Sequence, residues 1–326
     1  MSDQTPLVAA PKRRGRLVAV IIGAIVVVAA VVIAISVSVS RNATPAASGV
    51  EGSGDSAAIT TGKGSPGDPV KIGVAGASDP YWGEYKKAAL AAGISIDLVD
   101  FTDYAQPNPA LTEGDLDLNQ FQHIIYLAQY DKSSGEDLTP IGSTATYPLA
   151  LYSTKVKSVD EIKAGDTVAV PNDPSNLARG LLVLQASGLI ELTDGGSPFS
   201  TIDDVLPTSK VKVTTLDAAN VPTALPDVAA AIINNDFVED AGLKFEDALA
   251  ADDPADPTAQ PYINVFAARA EDKTNPLYVK LVDIFQNTKA VTDGLVETSG
   301  NTAVLVKTPV ADLEKSLAAV ESQITN

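Results

Sequence analysis

The sequence predicts an α/β fold of two lobes with a ligand cleft between them, preceded by one transmembrane helix. Three observations carry that expectation. From residue 70 onward, short β-branched runs alternate with helix-patterned segments, an order that builds largely parallel sheets. The 257 residues from there to Asn326 exceed the usual size of one domain, and a cleft between lobes is a common small-molecule site. Ahead of them, residues 17–39 read LVAVIIGAIVVVAAVVIAISVSV, 23 residues without a charge.

The elements follow in order. VKIGVA (residues 70–75) is a strand with a Gly-containing turn after it, residues 85–92 are helix-like, and ISIDLVDF (94–101) is a second strand, so the opening is β-α-β. Residues 110–113 can begin a helix, DLDLNQF alternates as a strand does, and IIYLAQYDKS is helical. YPLALYS (147–153) reads as a strand, residues 159–164 as a helix, DTVAV (166–170) as a strand and residues 171–186 as a turn and helix. KVKVTTL (210–216) is a strand, residues 221–225 and 228–232 are ends of short elements, and INVFAAR (263–269) is a buried strand. Residues 277–285 and 310–324 are helical.

At 1.5 Å per residue the uncharged stretch would be about 35 Å long, enough to cross a hydrocarbon core of about 30 Å. Lys12, Arg13, Arg14 and Arg16 precede it and Arg41 follows, so residues 1–16 are expected in the cytoplasm and everything after the span outside the cell membrane. A cleavable signal peptide is the alternative, but its apolar region is usually shorter, about 7–15 residues. Residues 40–69 are rich in Gly, Ser, Ala, Pro and Thr and cannot bury enough surface to offset their ordering entropy, so they form a tether reaching roughly 30 Å. Cysteine is absent, which removes disulfides, thiolate metal sites and a lipid-bearing Cys. One His and one Met make a zinc or copper centre improbable, and no cofactor is implied. Residues 70–326 hold 17 basic and 37 acidic side chains, a surface that repels nucleic acid and anionic lipid.

The single histidine, His123, stands in GDLDLNQFQHIIYL (114–127), between Phe121 and Tyr126. On a strand, residues 121 and 123 share a face, and Tyr126 can return to it as the next helix begins. A lone His is more often a satisfied polar residue at a core edge than a ligand group. In PNDPSNLARG (171–180), Asp173 or Ser175 can cap a helix with Pro174 in its first turn. Asn176 and Arg179 then share one face, while Leu177, Leu181 and Leu184 form the buried one. A carboxylate at that helix start would meet exposed amides and a guanidinium able to bind it bidentately. Trp82, in SDPYWGEY, is open between packing and a place over the cleft.

FTDYAQPNPALTEGDLDLNQFQHIIYL (101–127) resembles the methionine-binding lipoprotein family, the solute-binding subunits of methionine ABC transporters. Asp103, Tyr104, Pro107, Asn108, Gly114, Asp115, Asp117, Asn119, Phe121, Gln122 and His123 all fit that family's run. TVAVPNDPSNLARGLLVL (167–184) matches equally well, and the likeness weakens after Arg269. The resemblance implies a periplasmic-binding-protein-like fold, with one lobe over residues 70–148 and 266–326 and the other over 149–265. It implies capture of L-methionine, with D-methionine or a methionine-containing dipeptide as alternatives, and delivery to a permease and its ATPase. Carried over by position, Tyr104, Phe121, His123 and Tyr126 form the side-chain pocket. Arg179 clamps the carboxylate with Asn176 beside it, and Asn234 bonds the head group. An aromatic cage suits a thioether, whose sulfur gains about 0.3–1.5 kcal/mol from a ring about 5 Å away.

Two departures bear on the ligand. The family's N-G-N-Y element appears as Asn234-Asn235-Asp236-Phe237, and a Glu-Pro-Met-Gly-like stretch appears as Tyr147-Pro148-Leu149-Ala150. One rival is the same fold used as an extracytoplasmic sensor for another amino acid or a short peptide. An enzyme is disfavoured, since there is no G-x-S-x-G element and a Ser-His-Asp set would have to use His123. A paired-carboxylate glycosidase has acids enough, yet no pair stands out. A purely structural surface protein would not need two cleft-type motifs.

Overall fold

The computed structural model describes residues 58–324; the expected span at residues 17–39 lies outside the described residues. Among the described residues no helix is long and apolar enough to cross a membrane. The first elements are β1 (Val70–Val74), α1 (Pro80–Ala91), β2 (Ile96–Asp100), α2 (Pro107–Thr112), β3 (Leu118–His123), α3 (Ile124–Ser134), β4 (Leu138–Ser143) and β5 (Ala145–Thr146). A second group follows: β6 (Ala150–Tyr152), β7 (Thr167–Pro171), α4 (Pro174–Ala186), β8 (Lys212–Leu216), β9 (Ala230–Ile233) and β10 (Ala250–Ala251). The chain continues through β11 (Asn264–Arg269), α5 (Pro276–Asn287), α6 (Lys289–Thr298), β12 (Val304–Leu305) and α7 (Val310–Glu321).

Two five-stranded sheets result, ordered β2-β1-β3-β11-β4 and β10-β6-β9-β7-β8. Each has two parallel and two antiparallel pairings, which corrects the expectation of largely parallel sheets to a mixed α/β architecture. Helical crossovers make β1, β2 and β3 run together, whereas β11 returns from the second sheet and enters between β3 and β4 in the opposite sense.

Strands buried on both faces explain the near-continuous apolar runs. In β11, Val265 and Ala267 face a core layer with Leu111, Ile124 and Leu313, while Phe266 and Ala268 face another with Tyr85, Leu281 and Phe285. In β7, Val168 and Val170 pack with Leu181 and Leu184, and Ala169 with Ala231 and Ile233. This is the two-residue period of a pleated strand feeding helices on both sides.

Some elements were hidden from sequence patterning. The β4 sequence LTPIGS carries Pro140, tolerated because β4 is an edge strand. Its Gly142 admits α5 so closely that an added methyl group would overlap Val282. The short α6 went unpredicted, and the helix expected over residues 159–164 is a single 3-10 turn, Val159–Glu161. Trp82 is 1% exposed and packs against Tyr81, Tyr85 and Phe285, so it is core rather than cleft.

Several motif residues prove to be internal polar joints. Asn108 exchanges two amide hydrogen bonds with Gln122 and accepts a third from Asn119, tying α2 to β3. Asp117 accepts from the Lys71 backbone N–H and from the Tyr278 hydroxyl, tying β3's entry to β1 and α5. Buried polar groups must find such partners to avoid a desolvation penalty.

Asp131 is less well served. Its Oδ1 accepts from the Leu138 backbone N–H at 3.1 Å, but Oδ2 is buried without a partner. Burial pushes its carboxyl up to about 8. Folding therefore takes up a proton between the unfolded pKa near 4 and 8, and the native chain loses stability as pH rises through that window. Asp131→Asn keeps the Oδ1 acceptor and removes the charge, at the cost of a buried amide donor with nothing to bond. A net stabilisation of about 1–2 kcal/mol at pH 8, vanishing by pH 4, is expected in urea titrations; equal stability at both pH values would contradict it.

Candidate functional site

β3 runs directly into α3, and a β-bulge opposite Val265/Phe266 leaves Phe121 as the unpaired residue of β3. Bulges re-aim side chains, and here Phe121 joins a ring cluster. Its centroid lies 5.9 Å from Tyr104 and 5.7 Å from Tyr126, which are 6.3 Å apart. Tyr126 donates to the Tyr104 backbone carbonyl at 3.0 Å, and the Tyr104 hydroxyl donates to Asp236 at 2.7 Å.

His123 is the N-cap of α3. Its Nδ1 accepts from the Tyr126 backbone N–H at 3.2 Å. A backbone N–H can only donate, so the ring proton sits on Nε2, which faces Asn176 Oδ1 at 3.4 Å. Burial, and after it the charge of Arg179, pushes the imidazole down to about 3. At physiological pH His123 is a neutral, semi-polar wall and helix cap, with no free proton to trade.

The other end of the site is polar. Asp173 caps α4 by accepting from the Asn176 backbone N–H at 2.9 Å, and Asn176 Nδ2 lies 3.1 Å from each of its carboxylate oxygens. Asn176 Oδ1 accepts from Asn234 Nδ2 at 3.0 Å, and Asn235 Nδ2 donates to Asp236 at 3.0 Å. The side-chain oxygens of Asn234 and Asn235 are both buried and unpartnered. Asp79, which precedes α1, is pushed up to about 7 by burial and then by Asp236, Glu239 and Asp100, so acidic groups gather around Asp236.

All seven residues expected at the site, Tyr104, Phe121, His123, Tyr126, Asn176, Arg179 and Asn234, line one cavity. It spans about 460 Å³ of atom-free space, part of it open solvent. Arg179 is engaged differently from expectation. Its Nε and Nη2 bind Asp252 at 2.6 and 3.1 Å, Nη2 also donates to the Tyr147 carbonyl at 2.7 Å, and the guanidinium stacks 4.2 Å from the Tyr262 ring centre. Only Nη1 has no hydrogen-bond partner among the described residues, so in this arrangement the bidentate face belongs to Asp252. Asp252 also accepts from the Leu149 N–H at 2.8 Å, so Arg179 fastens together the two segments that connect the sheets.

Sequence reasoning missed Tyr262, Asn235 as an acceptor, and Asn264, which pairs with His123 across β3 and β11. Tyr262 supports both Arg179 and His123, the latter at 5.4 Å, yet nothing around it in sequence sets it apart. Asn235 carried a signal, since it stands in the altered Asn234–Phe237 element.

The profile of NlpA lipoproteins matches residues 70–305. The chain belongs to the NlpA lipoprotein family. Within the family, it is 40% identical over 224 residues to the D-methionine-binding lipoprotein MetQ of Yersinia pestis, covering 67% of this chain and 81% of that protein. Among solved structures, the substrate-binding protein of a methionine transporter from Streptococcus pneumoniae aligns with a TM-score of 0.68 at 31% identity. That alignment covers 73% of this chain and 95% of its counterpart. A nutrient-binding protein from Burkholderia cenocepacia bound to methionine aligns with a TM-score of 0.67 at 36% identity, over 72% and 99% of the two chains.

Proposed function

We propose that this chain is an extracytoplasmic solute-binding protein, not an enzyme, that captures methionine and hands it to an ABC permease driven by its ATPase. One observation carries the reading: a single cavity joins an aromatic cage, Tyr104, Phe121 and Tyr126, to a polar end with a cationic Arg179 nitrogen and two unpartnered acceptor oxygens. An α-amino acid with a polarizable apolar side chain matches each part. The thioether meets the rings, the carboxylate meets Arg179 Nη1 and the ammonium meets Asn234 and Asn235, with His123 and Asn176 between.

The two sheets are read as lobes over residues 70–148 with 266–326 and over residues 149–265, closing on the ligand by rotation. Residues 17–39 are read as a retained single-pass anchor with a cytoplasmic N-terminus, and residues 40–57 as its tether. The tether expected over residues 40–69 is shortened because Ile59 packs on the core, the Ile59 and Ser95 N–H groups bond the Gly93 and Gly64 carbonyls, and Lys63 pairs with Asp117. Family members are lipoproteins, and this sequence holds no cysteine to carry a lipid, so a helical anchor supplies the membrane attachment.

Calorimetry of the full chain in detergent, after exhaustive dialysis to strip copurified ligand, tests the reading. Methionine is expected to bind at least about tenfold more tightly than leucine or glutamine, since each lacks the sulfur or adds an unpaired polar group. Comparing L-methionine, D-methionine and glycyl-methionine assigns the stereoisomer and the length limit. Binding of none of the five would overturn the proposal.

A further inference from the structure

The polarity of the ammonium end is dictated from one carboxylate that does not line the cavity. Asp173 as a carboxylate can only accept. Its Oδ1 is pinned by the Asn176 backbone N–H at 2.9 Å, and both oxygens face Asn176 Nδ2. The Asn176 amide therefore turns its NH2 toward Asp173 and its Oδ1 the other way. That oxygen faces two donors, Asn234 Nδ2 at 3.0 Å and His123 Nε2 at 3.4 Å. With Asn234 Nδ2 spent there, Asn234 Oδ1 is left buried and free to accept. Asn235 repeats the pattern, its Nδ2 held by Asp236 and its Oδ1 free. Asp236's other partner is the Tyr104 hydroxyl, so that arm is held by side chains alone, whereas the Asp173 arm is anchored by a backbone N–H.

We infer that Asp173 is a positioning residue that sets the cleft to receive a donor, an α-ammonium group, and to refuse an acceptor in the same place. This rests on the amino-acid-receptor reading above. Without the carboxylate, the Asn176 amide is free to turn over, Asn234 then presents its NH2 to the ligand, and a carbonyl becomes the better guest than an ammonium.

Asp173→Asn and Asp173→Ser both retain side chains that cap helices well. The full-length variants are titrated with L-methionine and with 4-methylthio-2-oxobutanoate, its analogue with a carbonyl in place of the ammonium. Methionine is expected to weaken about tenfold, as for loss of one well-formed hydrogen bond to a charged group, while the oxo acid changes by less than about twofold or tightens. Because His123 is the only histidine, ¹⁵N-histidine labelling gives a second readout from one ring without any ligand. Its Nε2 resonance is expected to shift in both variants, since its acceptor has turned, while Nδ1 stays bonded to Tyr126. Equal weakening of both ligands with an unmoved Nε2 signal would reduce Asp173 to a helix cap and overturn the inference. Unchanged methionine affinity in both variants would do the same. A native chain that binds no methionine overturns the receptor reading and the ammonium role together, and the Nε2 shift then separates a correct relay from a wrong ligand.

Discussion

Arg179→Ala is expected to abolish measurable methionine binding and to destabilise the fold by about 2–4 kcal/mol. Two losses combine. In the proposed binding mode the ligand carboxylate loses the cation at Nη1, and Asp252 loses its partner. The Arg179 side chain is 6% exposed and that of Asp252 is 28%, so the orphaned carboxylate recovers part of its hydration, which keeps the cost below that of a fully buried pair. The Tyr147 carbonyl and the Tyr262 ring also lose the guanidinium that bridges them. The double variant Arg179→Met with Asp252→Asn separates the two losses. It leaves no unpaired charge and keeps an acceptor for the Leu149 N–H, so at least half of the lost stability is expected to return in urea titrations. Methionine binding should not return with it. Recovery of both would make Arg179 a structural clasp with no part in ligand capture.

Acid is expected to remove about 3–5 kcal/mol of stability through His123 alone. The imidazole's folded pKa of about 3 lies below its unfolded value of 6.5. Between those values the unfolded chain binds a proton that the folded chain refuses, so stability falls as pH drops from 6.5 toward 3 and is unaffected above 7. Burial is the largest cause of the shift and the Arg179 charge adds to it, and protonation would also turn Nδ1 from the acceptor that caps Tyr126 into a donor. His123→Gln offers an amide with one acceptor and donors but no proton to gain. The difference in unfolding free energy between the native chain and this variant should be flat from pH 8 to 7 and then decline toward pH 4. Asp131 and Asp79 drift in the opposite sense with pH, but they are common to both proteins and cancel. Parallel pH profiles would show that His123 is hydrated and charges freely.

The cage was legible because its chemistry is local. Phe121, His123 and Tyr126 lie within six residues of one another on a strand that becomes a helix, so their proximity is local, although a bulge at Phe121 and the first turn of α3 set how the rings meet. The α4 cap was legible for the same reason, as Asp173, Pro174 and Asn176 are neighbours in one turn. Strand direction was not, because whether β11 pairs parallel or antiparallel depends on the route by which the chain returns from the second sheet. β4 was masked by Pro140 and Gly142, residues that oppose a strand by propensity and are accepted only at an edge and beneath α5.

By itself, then, the sequence determined the alternating α/β order, the aromatic run of the cleft, the capped helix that carries Asn176 and Arg179, and membership of the family that shares them. Tertiary structure alone decided what Arg179 holds, since Asp252 lies 73 positions away and any of many acids could have met it. It also decided that Tyr262 underlies the guanidinium and that the Asn234 and Asn235 oxygens are left without partners. The reason is common to all three: spacing along a chain predicts contacts made within one element, whereas hydrogen-bond partners between elements depend on which surfaces the packed sheets finally bring within 3 Å.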